Sequence, residues 1–346
     1  MVILPPLEIL LTHLRGARPD FWDFAEESWE MAPAEERIFP AAIFLPGQLD
    51  RIEQTIFGDL GMTLNALTIS GTQQIGPTIA ARFRDVLLHD GVLYKNSAAY
   101  HLTRRNRRLP TIGSPPSIAS AAIYDSWIGL RYFGNWLMDD TETFRLAETV
   151  GNPVSISKSP AGHKQDYEDR LTMQPLRTQS AQFDELVLFE DLANNSGKMA
   201  RGADRRARLL SSIPETQPHP GVFLLRGRSG DARILTNEQK LAEDLEARHG
   251  IRAVDTMAHS VESLIKTCAG ARVLIGVEGS QLVHALAVMA PGTTMLALMP
   301  PDRVTAAMKL MTDRLGMNFA MVIGQGTTDG FEINPKDIEA TLDLIP

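Results

Sequence analysis

Three groups of residues have types and spacings suited to chemistry. The first is Leu225-Arg226-Gly227-Arg228, followed by Arg233 and then by Asn237 and Glu238. Guanidinium forks make bidentate contacts with phosphate oxygens, so arginines gathered at the end of an apolar run suit a diphosphate. Asn237 and Glu238 read equally well as ligand contacts and as a helix cap with dipole compensation. The second group is Gly276-Val277-Glu278-Gly279-Ser280-Gln281, two glycines around a carboxylate and a small polar residue, with His284 one turn further on. Ser280 is positioned as an N-cap, and the N–H groups of the turn after it would be open to an anion. A histidine there could meet a phosphate or a sugar hydroxyl. The third group is Asp139-Asp140, after Trp136-Leu137-Met138. Neighbouring residues on a helix point to different faces, so at most one of these carboxylates can line a cleft as a general base.

These groups need elements to hold them, and the second half of the chain predicts them clearly. Val273-Leu274-Ile275 reads as a buried strand. Leu282, Val283, Leu286, Ala287 and Ala290 recur at helical spacing, Pro291-Gly292 stops that helix, and Thr294–Leu298 is a further apolar run. Around this unit the pattern predicts strands at Val222–Leu225, Ile251–Val254 and Asn318–Ile323. Helices are predicted at Glu238–His249 (capped by Thr236, with Gln239 in capping-box position), Ser260–Cys268, Asp302–Leu315 and after Asn334-Pro335. Such alternation requires a parallel sheet with helices on both faces. Its binding crevice lies at the carboxyl ends of the strands, where Arg226, Arg228, Glu278, Gly279, Ser280 and Pro300-Pro301 would gather.

The first half is less regular. A strand is predicted at Met62–Ser70, paired strands at Phe83–Leu88 and Gly91–Tyr94, a helical stretch from Ile118 to Glu148, and a strand at Phe183–Phe189. The prolines at 214, 218 and 220 mark a linker. The expected division is an N-terminal extension (1–60), an N-terminal domain (61–213), a C-terminal domain (214–330) and a C-terminal helix (331–346).

A formal net charge of −8 over 346 residues argues against nucleic acid as a partner, and the local basic runs Arg104-Arg105-Asn106-Arg107-Arg108 and Arg201–Arg208 read as solvated faces. A single cysteine, Cys268, leaves no disulfide framework. No P-loop, GxGxxG turn, HExxH pair or GxSxG elbow is present. The apolar N-terminal stretch is short and interrupted by Pro5-Pro6 and Glu8, unlike a spanning helix or a signal peptide. A cytoplasmic location is expected, with room for peripheral membrane association and for a homo-oligomer.

Taken in order, Arg226…Arg233-Ile234-Leu235-Thr236-Asn237-Glu238, Gly279…Leu282 and Ala290-Pro291-Gly292-Thr293 resemble the core of glycosyltransferase family 61. Tyr132-Phe133-Gly134-Asn135-Trp136-Leu137-Met138-Asp139 matches the family's aromatic-H-W-L-x-(D/E) motif in part. The resemblance spans roughly residues 80–325. It implies an α/β, GT-B-like fold, two Rossmann-like domains facing across a cleft. It also implies a metal- and cofactor-independent, inverting transferase that moves a sugar from a nucleotide-sugar donor, a UDP-sugar being the first expectation, to a glycan acceptor in surface or capsular polysaccharide assembly. Under that resemblance Asp139 is the base and Asp140 the reserve. Arg226, Arg228 and Arg233 hold the leaving diphosphate, Gly279-Ser280 seat it, and Asn237, Glu238, Glu278, Gln281 and His284 complete the donor site. The chain carries Glu278 and Asn135 where the family has histidines. Those departures motivate an alternative, a non-catalytic member that binds sugar or nucleotide. The lack of a glycine-rich dinucleotide turn weighs against a Rossmann-type epimerase.

Overall fold

The computed structural model describes residues 5–14, 16, 18–104, 115–227 and 230–346. They form two compact units, one of Met1–Ala34 with Gly76–Arg201, the other of Glu35–Ile75 with Gly202–Pro346.

The first unit is built on a sheet of eight strands: β1 Glu27–Ala32, β2 Thr78–His89, β3 Val92–Lys95, β4 Ala98–His101, β5 Ser117–Ile123, β6 Pro153–Ser155, β7 Leu176–Arg177 and β8 Ser180–Glu190. Their order is β4-β3-β2-β8-β5-β6-β7, with β1 on the edge of β2. Only the β8-β5-β6-β7 half is parallel. A Rossmann-like sheet was expected throughout, and the turns explain the difference. Asp90 and Gly91 between β2 and β3 both have positive φ (48° and 72°), as a two-residue type I′ hairpin requires. So short a connection can join only antiparallel neighbours. The core of this unit gathers Phe83, Leu88, Ile123, Val154, Phe183 and Leu186 from the sheet, and Phe21 caps it with its ring centroid 4.9 Å from that of Phe83.

The predicted helix over 118–148 begins later. Ile118, Ala121 and Ala122 pair with β8 in the sheet interior. The chain becomes helical at Trp127–Arg131, where the Ser126 hydroxyl accepts from Gly129 N–H. It continues through Phe133–Asn135, a π-helical turn at Trp136–Asp140, and Thr141–Val150.

The second unit carries five parallel strands, β9 His219–Leu225, β10 Ile251–Asp255, β11 Ala271–Val277, β12 Thr294–Met299 and β13 Asn318–Ile323, in the order β10-β9-β11-β12-β13. Helices fall where the sequence predicts them, at Glu238–His249, Val261–Cys268 and Pro335–Leu342. The stretch after β12 is helical only over Ala307–Arg314. All six residues of β12 are buried, as a central strand covered on both faces demands.

Residues 35–75 belong to this second unit, so an extension over 1–60 ahead of the first domain is not what forms. Ile43 N–H donates to Phe319 O and Met321 N–H to Ile43 O, adding a bridge to the free edge of β13. Glu35–Phe39 and Gly71–Ile75 pair as an antiparallel ribbon. Met62–Ser70, read as a strand, lies mostly in the helix Leu60–Thr68. Asp59 caps it from Met62 N–H at 2.7 Å, and it buries Thr63 and Leu67 one turn apart. The division also falls at 201/202 rather than 213/214, inside the helix Ser196–Leu210. Arg206, past that point, donates from Nε to Val288 O and Met289 O. Among the described residues no helix is long and apolar enough to cross a membrane.

Gly276 shows how tightly the second sheet is drawn together. A Cβ there would lie 2.7 Å from Leu224 O on β9 and 2.8 Å from Leu282 Cδ2. Gly276→Ala is therefore expected to cost about 1–3 kcal/mol through overpacking against backbone. Denaturant unfolding would register that loss, and an unchanged midpoint would show slack between β9 and β11.

Candidate active site

The strand order of the second unit contains a switch point. From β9 the chain crosses to β10 on one side, and from β11 it crosses to β12 on the other. The crevice outside the carboxyl ends of these two strands is where open α/β sheets bind ligands. Arg226 follows β9 and Glu278 follows β11 directly, and Arg303 sits in the loop after β12. Arg233 and Arg303 both pair with Glu278 Oε2, Arg303 at 3.1 Å. Arg226 donates from Nη1 to Gln281 Oε1 at 3.0 Å and from Nη2 to Asp231 O at 2.8 Å. Arg226, Arg233, Glu278 and Gln281 are all buried.

Positive charge is in excess in this cluster. Burial, and then repulsion from Arg233 and Arg303, push the Arg226 guanidinium down to about 10. Burial lowers Arg233 as well, with Arg303 adding to the effect and Glu278 opposing it. The Arg233 Nε–H is buried with no hydrogen-bond partner among the described residues. An anion entering the crevice would relieve both conditions. Gly279 completes the cradle: a Cβ on it would fall 2.0 Å from Arg226 Nη1, so only glycine leaves that guanidinium its place.

The other expected donor contacts divide. Glu238 accepts from the backbone N–H groups of Arg226 (2.9 Å) and Gly227 (2.8 Å), and so fixes the loop that carries Arg226. Asn237 turns away, pairing through its amide with both the O and the N–H of Ile333. It stands at the start of the helix without a side-chain cap bond, while the Thr236 hydroxyl, expected to cap, reaches Phe331 O instead. Ser280 is not an N-cap: it opens a one-turn 3-10 helix, Ser280–Leu282, whose cap position is Gly279. His284 is buried on the short helix Val283–Leu286. Arg228 lies outside the described residues. Sequence reasoning missed Arg303, although it placed the preceding Pro300-Pro301 in the crevice. It also missed Phe57, whose ring lies 5.9 Å from the Arg303 guanidinium carbon. Phe57 comes from the remote segment 35–75, stitched to the β12 loop by Glu53 N–H and Ile56 N–H bonds to Pro301 O and Val304 O.

The first unit gathers carboxyl groups at the carboxyl ends of its parallel strands. Asp139 and Asp140 diverge as adjacent residues must. Asp139 accepts from Asn135 Nδ2 at 3.0 Å and pairs with Lys198 Nζ at 3.2 Å, its side chain 19% exposed against 1% for the lysine. Lys198 also donates to Asp191 O, and the Asp191 carboxylate is held by Thr78, Thr143 and Arg201. Asp140 is buried, its Oδ1 taking the Ser126 hydroxyl at 2.7 Å, under a Gly129 whose added Cβ would strike the carboxylate.

Asp125, at the end of β5, was not singled out from sequence. The signal was there: an Asp-Ser pair straight after an apolar run, masked by reading that run as helix. Burial pushes its carboxyl up to about 6 in spite of bonds from Ile156 N–H (2.6 Å) and the Ser155 hydroxyl (2.9 Å). Burial, and next the charge of Asp125, raise Asp140 well above the usual carboxylate range. Burial lowers Lys164, against the pull of Asp140, Asp125 and Glu168. Among the described residues no three His, Cys, Asp or Glu side chains converge as a metal-ligand group.

A family model described as Glycosyltransferase 61 matches residues 39–296, well over half of the chain. No curated protein matches it.

The raised Asp125 carboxyl gives a signed expectation. A group whose folded pKa lies above its unfolded value near 3.8 favours the fold at low pH, and that contribution fades as pH rises through about 6. The stability difference between Asp125→Asn and the wild type should therefore shift in favour of the variant between pH 4 and pH 8, by about 2 kcal/mol. Urea unfolding at both pH values measures it, and a pH-independent difference would mean that Asp125 is ionised throughout.

Proposed function

Because the chain belongs to glycosyltransferase family 61, we propose that it transfers a sugar from a nucleotide-sugar donor to a glycan hydroxyl with inversion, holding the donor diphosphate in the arginine crevice of the second unit. One observation carries this reading. Three arginines, Arg226, Arg233 and Arg303, meet at the switch point of a parallel sheet, with Glu278 paired to two of them and Asp231 more distant from Arg303.

In the proposed reaction Asp139 takes the proton from the acceptor hydroxyl as that oxygen attacks the anomeric carbon. The bond from that carbon to the phosphate oxygen breaks, and its electron pair leaves with the diphosphate. The charge that develops there falls to Arg226, Arg233 and Arg303, whose directed donors do the work a metal ion would otherwise do. Asp139 is preferred to Asp140 because its carboxylate keeps partial exposure, whereas that of Asp140 is buried against Ser126. Lys198 and Asn135 keep Asp139 oriented. Glu278 is committed to Arg233 and Arg303, so it acts by positioning them. A UDP-sugar is the first donor to test.

Thermal shift against UDP, GDP, CMP and dTDP tests the donor half. One nucleotide should raise the midpoint in proportion to the logarithm of its concentration above Kd, by about 2.7 kcal/mol of stabilisation at a hundredfold excess over its Kd. Arg226→Ala should abolish that shift. Asp139→Asn should keep it while lowering transfer by about 10²–10⁴-fold, the usual contribution of a general base. No shift with any nucleotide would overturn the donor assignment. Full transfer by Asp139→Asn would overturn the assignment of the base.

A further inference from the structure

We propose that the first unit carries a binding subsite for an anionic sugar, a carboxylate-bearing residue of the acceptor glycan, in the pocket of about 380 Å³ lined by Leu102, Thr103, Arg104, Trp127, Leu130 and Arg131. The word acceptor rests on the transferase reading, whereas the binding chemistry does not.

The pocket has a rigid floor. Leu102 is 1% exposed, and Leu130 packs against the same core as Phe83 and Phe183. The wall at Leu102-Thr103 is pinned by two backbone bonds to Gly91 O in the β2–β3 hairpin. Its volume is that of a small-molecule site and holds one or two sugar rings.

Trp127 is 41% exposed at the rim, a large aromatic left in water where the core could have covered it. An exposed indole presents a flat apolar face, which suits the C–H face of a pyranose. The charge beside it is positive. Arg131 lies across two aromatic rings, its guanidinium carbon 5.5 Å from the centre of Trp127 and 5.0 Å from that of Tyr132. Arg104 also lines the pocket, is exposed, and opens the basic run seen in the sequence. Neither arginine has a carboxylate partner among the described residues, although the chain as a whole carries a formal charge of −8. Two guanidinium groups lining the pocket that holds this indole offer a carboxylate bidentate hydrogen bonds while the ring stacks.

The position suits an acceptor. Trp127 follows Ser126 directly, and the Ser126 hydroxyl that starts its helix also bonds Asp140, next in sequence to the proposed base. A sugar stacked on Trp127 is thereby tied, through one cap residue, to the turn that holds Asp139.

The test uses isothermal titration of the full chain with two probes matched in length that differ in charge, a hyaluronan tetrasaccharide carrying glucuronate and the uncharged chitotetraose. The hyaluronan probe should bind at least tenfold more tightly, and its affinity should fall as salt rises from 50 to 300 mM, because surface charge attraction is screened. Trp127→Ala should abolish binding. Arg131→Gln, an exposed change at a helix end, should weaken it at least fivefold with an unchanged melting temperature. Equal affinity for the two probes, no binding of either, or binding indifferent to both substitutions overturns the proposal. Binding to phosphatidylglycerol vesicles that both substitutions remove, with no affinity for the tetrasaccharide, also overturns it and gives the surface to a membrane. The nucleotide shift serves as the separate readout: its loss in the wild type, with tetrasaccharide binding intact, removes the transferase reading and leaves the pocket standing.

Discussion

The register between β9 and β11 is the constraint from which the arginine crevice follows. Val222 lies opposite Leu274 and Phe223 opposite Ile275, so the chain leaves both strands at nearly the same level. The two crossovers then depart in opposite directions, and neither can cover the gap between them. Backbone N–H groups and side chains entering that gap have to be polar. Gly276 permits the close approach of Leu224 O, and Gly279 leaves room for the Arg226 guanidinium. The buried charges are thus consequences of strand order and of two missing Cβ atoms.

Burying three guanidinium groups together is unfavourable unless something offsets it. Glu278 offsets part of it, and Glu238 spends both its oxygens on the Arg226–Gly227 backbone rather than on a guanidinium. Burial first, and then repulsion between the neighbouring guanidinium groups, lower Arg226 and Arg233. In the first unit the sign is reversed: Asp125 and Asp140 are raised and Lys164 is lowered, all chiefly through burial. Groups displaced from their ordinary ionisation in this way concentrate where proteins do chemistry. A region able to release the strain of excess positive charge by taking an anion, and another rich in carboxyl groups able to take a proton, are the two requirements of glycosyl transfer to a hydroxyl.

The sequence was legible where hydrophobic period and burial agree. β13 and the helix Glu238–His249 form over the predicted residues, because Phe319–Ile323 is an unbroken buried apolar run and the helix buries Leu241, Ala242 and Leu245 on one face. Reading failed where a short element was decided by something remote. The helix Leu60–Thr68 has strand-like composition, and its cap at Asp59 together with packing within residues 35–75 decides the outcome. β5 was absorbed into a helix because Ala121 and Ala122 suit either state, and pairing with β8 settles the matter. At the site, Arg226, Arg233, Glu278 and Gln281 do come together, because all lie within a few residues of strand ends. Arg303 was invisible for the opposite reason: it is placed by hydrogen bonds between the β12 loop and Glu53–Ile56, far away in sequence.

The exchange of the family histidine for Glu278 can be weighed in the same terms. An imidazole between Arg233 and Arg303 would at best be neutral, and when protonated it would add to a charge already in excess. A carboxylate at that point bonds both guanidinium groups and lets them share a buried corner. Asp231 Oδ2 stands a further 3.9 Å from Arg303, so this guanidinium has a second carboxylate beside Glu278. The exchange alters how the positive charge is held in place. It does not remove the charge, and among the described residues the buried Arg233 Nε–H still has no acceptor. For that reason the departure at 278 leaves the crevice suited to an anion, which a catalytic member and a non-catalytic member that binds sugar or nucleotide both require, and transfer by the chain is what separates the two.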